Sequence, residues 1–430
     1  MMKYVIKCLE CETVFPSDEY ILKCPNDCNS LLRTEYTNKR ILKKNLPGIW
    51  KYIDWLPVHD VDKKLLMQAG SVTYKSENLA KKLKLNNLII SFNGYWPEKG
   101  AQQITCSFKD LEAQTVLQRI TETKANGKTL VVATDGNTGK SFIHFSNFID
   151  YPLLVLAKEK RRKEKLWAVN LPKESTKVIS LAEGNDYYDV ISLADKISQQ
   201  PGFVPEGGTR NIARRDGMGT IMLDATFLEG RIPDHYFQAL GSGPGAIAAY
   251  EASLRLLRDG RFGDKLPKVH GCQNYPFVPM YDAWRKKSRK IDPKYQQKSA
   301  KKLIDQAFCT ALANRYPAYS VKGGIYDVLS DTNGEFYSVR NEELLNACRL
   351  FEKTEGIDIE EPAGVALAGL IQAIKQKKVK KDDCILINIS GAGFKRLKNT
   401  MKIYEMPSSM VVNDPKNEIE NVQKMIKGWF

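Results

Sequence analysis

Four residues near the start of the chain have the type and spacing to hold a metal. Cys8 and Cys11 are separated by two residues and Cys24 and Cys28 by three, with a twelve-residue spacer between the pairs. Two close thiol pairs joined by a hairpin-length segment can present four thiolates tetrahedrally to one zinc ion. So short a segment cannot build a core of its own, and structural zinc supplies about 10–16 kcal/mol of binding free energy to peptide sites of this kind. The spacing predicts a zinc-ribbon-like module over residues 1–40, with Cys8, Cys11, Cys24 and Cys28 as ligands. Metal-free reduced thiols packed against the main body, or a redox role, would use the same residues.

A second chemistry-bearing segment is Gly241-Ser242-Gly243-Pro244-Gly245, which lies between the apolar Tyr236 to Leu240 and the helix-like Ala246 to Arg258. Glycines this dense free backbone N–H groups and aim a helix N-terminus at one point, which suits a phosphate. No Lys-Ser or Lys-Thr follows, and Ala246-Ile247 breaks the dinucleotide pattern, so it is neither a Walker loop nor a G-x-G-x-x-G motif. A tight structural turn would look the same. Further upstream, Ser107-Phe108-Lys109-Asp110 opens a helical pattern running through Leu111-Glu112-Ala113 toward Arg119. Burial and the positive end of that helix would disfavour the Lys109 ammonium, which promotes Schiff-base chemistry. A lone lysine is otherwise a surface residue.

These segments need rigid elements to position them. Thr129 to Thr134 reads as a buried strand running into Asp135-Gly136-Asn137-Thr138-Gly139-Lys140 and a helix. Leu153 to Ala157 and Lys177 to Leu181 are further short apolar strands, the second followed by a helix around Tyr187 to Ser198. Cys384 to Ile389 ends at Ser390-Gly391-Ala392-Gly393. Alternating strands and helices predict a parallel sheet, and ligands of such sheets bind beyond the carboxyl ends of the strands, where the glycine-containing turns lie.

At 430 residues and 43% hydrophobic content the chain can bury two cores plus a small appendage. Its formal charge of +15 invites a polyanion reading, but the basic runs Lys158–Lys163 and Lys375–Lys381 are short and adjoin acids, as in solvated surface, which argues against nucleic acid as a partner. Nine cysteines and no secretion signal argue against a disulfide framework, so Cys106, Cys272, Cys309, Cys348 and Cys384 are expected to behave as small core residues. No apolar stretch is long enough to span a bilayer, so the expected compartment is the cytoplasm, without membrane attachment. His59, His144, His235 and His270 are dispersed, without metalloprotease spacing.

The order Ser107-Phe108-Lys109-Asp110, Gly136-Asn137-Thr138-Gly139, the glycine loop, then Ser390-Gly391-Ala392-Gly393-Phe394-Lys395 resembles the fold-type II pyridoxal-phosphate enzymes of the threonine-synthase type. Phe92 to Glu98, Phe108 to Ala113, Pro205 to Asn211 and Ala213 to Gly219 are similar to members of that family that form cysteate, and the likeness covers nearly the whole chain, the cysteine module included. The resemblance implies a tryptophan synthase β-like α/β fold with two domains around a cofactor cleft. The small domain would be residues 110–225, inserted in a large one of 41–109 and 226–430, preceded by the module of 1–40.

It also implies pyridoxal 5'-phosphate as cofactor. Lys109 matches the Schiff-base lysine, and Asn137 the asparagine that hydrogen-bonds the cofactor's 3'-oxygen. Gly241, Ser242, Gly243, Gly245 and Ala246 match the phosphate loop, and Ser390 the hydroxyl residue at the pyridine nitrogen. Serine stands where many threonine synthases carry threonine, and Ala392 where they often carry histidine. A hydroxyl does not hold the pyridinium protonated as a carboxylate would, so the ring is a weaker electron sink, which suits rapid loss of a β leaving group. The implied reaction is β-replacement of O-phospho-L-serine by sulfite to give L-cysteate and phosphate, with Lys109 as general base. The alternatives are threonine synthesis from O-phospho-L-homoserine, β-replacement with another nucleophile, and a non-catalytic nucleic-acid-binding relative. Both substrates are anions, which makes Lys140, His144, Arg210, Arg214 and Arg215 the candidates to bind them. Family members commonly self-associate, so the resemblance makes a homo-oligomer possible, while nothing in the sequence fixes the oligomeric state.

Overall fold

Runs rich in Val, Ile and Leu, each running into a turn and a helix, pair side by side in two mainly parallel sheets. A computed structural model gives their order and describes residues 2–66 and 70–429. The smaller sheet runs Phe203–Pro205, Thr129–Thr134, Leu153–Lys158, Thr176–Leu181 and Met410–Val412, with every pairing parallel. The larger runs Glu335–Val339, Lys268–Asn274, His235–Ala239, Cys384–Ala392, Asn87–Trp96 and Val72–Lys75, parallel except for the last pairing. Strands such as Leu153–Lys158 and Cys384–Ala392 are buried almost throughout, as sheets covered on both faces require. Among the described residues no helix is long and apolar enough to cross a membrane.

Two features depart from the sequence reading. The C-terminal strand Met410–Val412 joins the edge of the smaller sheet beside Thr176–Leu181, although it lies outside the 110–225 segment assigned to the small domain. A three-residue strand carries too little periodicity to show which sheet it joins. The basic run at 158–163 is not all solvated: Arg162 is buried, donating to Glu159, Glu405 and the Met406 carbonyl, and Arg161 pairs with Asp135.

Three helices link the sheets to the site. Lys109–Thr121 crosses Ile212–Glu229, which in turn packs on Pro244–Asp259. The Asn211 side chain caps the Ile212 helix by accepting from the Ala213 N–H at 3.0 Å. Gly217 sets how close the first crossing is, because a Cβ there would lie 2.2 Å from the Leu111 carbonyl oxygen. The N-terminal module is a small antiparallel sheet of Val14–Phe15, Tyr4–Cys8 and Leu32–Tyr36. It docks through polar bonds to the Ile212 helix: the Thr34 and Tyr36 hydroxyls donate to Asp216, and Arg215 donates to the Leu32 carbonyl.

Candidate active site

The turns at the carboxyl ends of three strands meet at the start of the Lys109 helix. The Phe108 N–H donates to the Ser390 carbonyl at 3.0 Å, which fixes the end of the Cys384–Ala392 strand beside Lys109. On the other side, Gly245 lies so near the Phe108 ring and the Gln238 amide that a Cβ on it would sit 2.8 Å from the first and 2.4 Å from the second. Lys109, Ser390 and the loop Gly241–Ala246 are therefore one cluster. Gly243, at φ +91°, turns the loop into the Pro244–Asp259 helix, whose first-turn N–H groups have no carbonyl partner within the helix. The Ser242 hydroxyl is fixed by Asn314, and its carbonyl accepts from the Ala318 N–H at 3.2 Å.

The second wall is the helix Asn137–Ile149. Its first residue, Asn137, donates its side-chain N–H to Glu360 Oε2 at 3.0 Å, while its amide oxygen is buried without a hydrogen-bond partner. Glu360 precedes the helix Glu361–Lys375 and lies against Gly391, where a Cβ would come within 2.7 Å of its carboxylate. One turn after Asn137, Lys140 Nζ lies 3.9 Å from Glu360 Oε1 and 4.3 Å from the centre of the Trp167 ring. It too is buried without a hydrogen-bond partner, and burial lowers its pKa against the opposing pull of Glu360.

The five candidate anion-binding residues separate clearly. Lys140 borders the cluster. Arg214 is engaged by Glu112 and Glu206, with Glu112 on the same helix face as Lys109. Arg215, one residue on and so on another helix face, has no exposure and donates to Glu251, the Thr209 carbonyl and the Leu32 carbonyl. Its donors are consumed in docking the module, which removes it from substrate binding. His144 packs edge-to-face against Phe145 and Phe148, and burial pushes its imidazole down to about 3, so at neutral pH it carries no charge for an anion. Arg210 is partly buried in the short turn Gly208–Arg210, where Asp195 supplies the opposing charge.

Three acids around Lys109 and Asn137, namely Glu112, Glu206 and Glu360, were not singled out from the sequence. For Glu112 alone a local signal existed, because it follows Lys109 by three residues on one helix face.

In the N-terminal module, the sulfurs of Cys8, Cys11, Cys24 and Cys28 all lie within 4.8 Å of one another. Zn–S bonds of about 2.3 Å in a tetrahedron place sulfurs about 3.8 Å apart, so the set is of the right size for one ion. Of the scattered cysteines, Cys106, Cys272, Cys309 and Cys384 are buried and Cys348 half-buried.

A lysine at a helix start, a glycine-rich strand-to-helix loop, and a half-buried asparagine with a buried, unpartnered amide oxygen, set between two α/β layers, fit a fold-type II pyridoxal-phosphate enzyme. Residues 82–391 match the family described as pyridoxal-phosphate dependent enzyme, and the chain belongs to it. Within that family it is 49% identical over 423 residues to the cysteate synthase of Methanosarcina acetivorans, covering 98% of this chain and 100% of the relative. The cysteate synthase of Methanospirillum hungatei is 40% identical over 431 residues, covering 100% and 99%. Among solved structures, a processed threonine deaminase from Solanum lycopersicum superposes with a TM-score of 0.55 at 15% identity, covering 89% of this chain and 98% of that one. A pyridoxal 5'-phosphate-dependent aspartate racemase gives 0.56 at 14%, covering 77% and 93%. These two share the fold.

The cradle makes a direct prediction. Gly245→Ala forces Gln238 or Phe108 to move, at a cost of about 1–3 kcal/mol, and should weaken pyridoxal phosphate binding about 10-fold or more. Fluorescence titration of the cofactor-free protein measures this, and an unchanged affinity would mean that the loop is not the phosphate seat.

Proposed function

We propose that this chain makes L-cysteate and phosphate from O-phospho-L-serine and sulfite by pyridoxal-phosphate-dependent β-replacement. The observation that carries the reading is the identity of 40–49% over essentially full length with cysteate synthases. The clustering of Lys109, Asn137, Ser390 and the Gly241–Ala246 loop supports it. When bound, pyridoxal phosphate supplies an aldehyde that captures the substrate amine and an electron sink for the Cα carbanion.

The protein supplies the rest. The loop N–H groups and the Pro244 helix N-terminus would hold the cofactor's phosphate, and Asn137 and the Ser390 hydroxyl would hold its ring. Lys109 would anchor the aldehyde at rest, and its free Nζ would take the Cα proton. The Cβ–O bond then breaks, with phosphate leaving on the bonding pair. Sulfite's sulfur lone pair forms the new bond to Cβ, and Lys109 returns the proton to Cα. Lys140, a buried cation beside Asn137 and Glu360, is the group best placed to hold an anion during these steps. We further infer one structural zinc on Cys8, Cys11, Cys24 and Cys28.

Cofactor-loaded protein incubated with O-phosphoserine and sulfite should release phosphate and form cysteate, measured by mass spectrometry. Borohydride reduction should lock the cofactor onto the peptide containing Lys109. Yellow protein that makes no cysteate but releases phosphate from O-phosphohomoserine would replace this reading with threonine synthesis, and protein that binds no cofactor would sink both.

A further inference from the structure

Lys109 has an acidic neighbour to which the scheme above gives no task. The Glu112 carboxylate is fully buried, with Oε2 at 3.7 Å from Lys109 Nζ and 2.9 Å from Arg214 Nη1. Its Oε1 accepts from the Thr138 hydroxyl at 3.2 Å, next to Asn137. Arg214 is gripped from its other side by Glu206, through Nε at 2.8 Å and Nη2 at 2.5 Å. The close crossing permitted by Gly217 brings Arg214, one turn earlier on the same helix, within reach of Glu112.

Charge bookkeeping separates a structural role from a functional one. A buried carboxylate is costly unless its charge is balanced. Arg214 and Glu206 already form a balanced, bidentate pair. An ionised Glu112 leaves the cluster one negative charge in excess; burial opposes that by raising the Glu112 pKa, and the Lys109 ammonium, 3.7 Å away, is the charge that would close it. If the Arg214–Glu206 pair alone were needed to join the helices, a neutral residue at position 112 would serve without desolvating a second acid.

We propose that Glu112 is a positioning residue that seats the ammonium form of Lys109, the form this lysine takes once it has accepted the substrate's Cα proton. Arg214, Glu206 and the Thr138 hydroxyl hold the carboxylate in place. While Lys109 is tied to the cofactor, Glu112 rests on Arg214 and Thr138. When Lys109 is free, the carboxylate gives the proton it carries a defined place from which to return to Cα. Lys140 has a different acid, Glu360, so the two buried lysines of the site are kept distinct.

The groups facing Lys109 are Glu112 on its own helix, Arg214 on the Ile212 helix and Glu206 before it. Tyr187 lies beyond Arg214, and burial raises its phenol so that it stays neutral. Burial lowers the Lys109 pKa, Glu112 and Glu206 raise it, and Arg214 lowers it. Replacing Glu112 by glutamine removes the nearest raising charge and keeps the shape.

The proposal rests on Lys109 being the cofactor lysine, and its test does not require turnover. In cofactor-free protein, the pH dependence of Lys109 acetylation by acetic anhydride, read by peptide mass spectrometry, reports the amine's protonation midpoint. E112Q should lower that midpoint by about 1 pH unit or more. E112D, with its carboxylate set back by one carbon, should fall between E112Q and wild type. In loaded enzyme, E112Q should lower kcat with little change in KM and with the visible absorbance retained, since Glu112 does not touch the cofactor. A midpoint unchanged in E112Q, or in E112D alone should E112Q not fold, overturns the proposal. Borohydride locking the cofactor onto another lysine would instead defeat the assignment of Lys109, whatever the midpoints.

Discussion

Lys109→Ala is expected to purify without the cofactor's imine absorbance and to form cysteate at least about 10³-fold more slowly than wild type. General acid–base catalysis by one positioned group contributes about 10²–10⁴-fold, and here the same residue is also the covalent anchor. The effect should be chemical and not a consequence of unfolding. Lys109 is half-buried, it opens its helix without capping it, and Glu112 keeps its hydrogen bonds from Arg214 and the Thr138 hydroxyl when the lysine is gone. The variant should therefore keep wild-type circular dichroism and still bind pyridoxal phosphate, non-covalently, through the unaltered Gly241–Ala246 loop. Single-turnover assays with added cofactor measure the loss. Wild-type-like turnover in the variant would show that another group moves the Cα proton and would leave Lys109 without a catalytic role.

The elements that carry this site were legible because their signals are local. Thr129–Thr134 and Leu153–Lys158 announce themselves as continuous apolar runs, and the turn at Gly241–Gly245 by its glycine density. The site's electrostatics were not legible, because its ion pairs and polar hydrogen bonds join residues remote in sequence. Arg214 and Glu112 are 102 positions apart, and Asn137 and Glu360 are 223 apart. Arg214 and Arg215 are indistinguishable in the sequence, yet about 100° of helix rotation sends one toward the Lys109 helix and the other toward the N-terminal module. His144 illustrates the converse error. A histidine near a glycine-marked turn suggests anion binding, but its place on the inner face of an apolar helix puts it between two phenylalanine rings.

The cysteine-bearing segment touches the Glu206 turn and the Lys109 helix, which is why metal removal is expected to do more than loosen the N-terminus. One zinc per chain should be found by elemental analysis, and a strong chelator or Cys11→Ser should remove it. The apolar side chains of the module, including Ile6, Leu31 and Leu32, are buried in the core cluster of the main body. The segment carrying Cys11, Cys24 and Cys28 is exposed or half-buried except at Cys24 and has only the two-residue strand Val14–Phe15 of its own. A bound zinc would thus add about 10–16 kcal/mol to its order. Without metal, proteolysis should cut between residues 9 and 29 well before the main body. The same segment reaches the site's supports: Tyr20 donates to the Pro205 carbonyl at 3.0 Å, the Glu19 carbonyl accepts from Arg119 at 2.7 Å, and Leu22 fills the space beside Gly207. Pro205 and Gly207 flank Glu206, the residue that holds Arg214 against Glu112. Chelated enzyme should accordingly keep its cofactor absorbance while its kcat falls, with the Lys109 protonation midpoint shifting in the direction expected for E112Q. Metal-free protein with wild-type proteolysis and turnover would mean that the four thiols are held by packing alone.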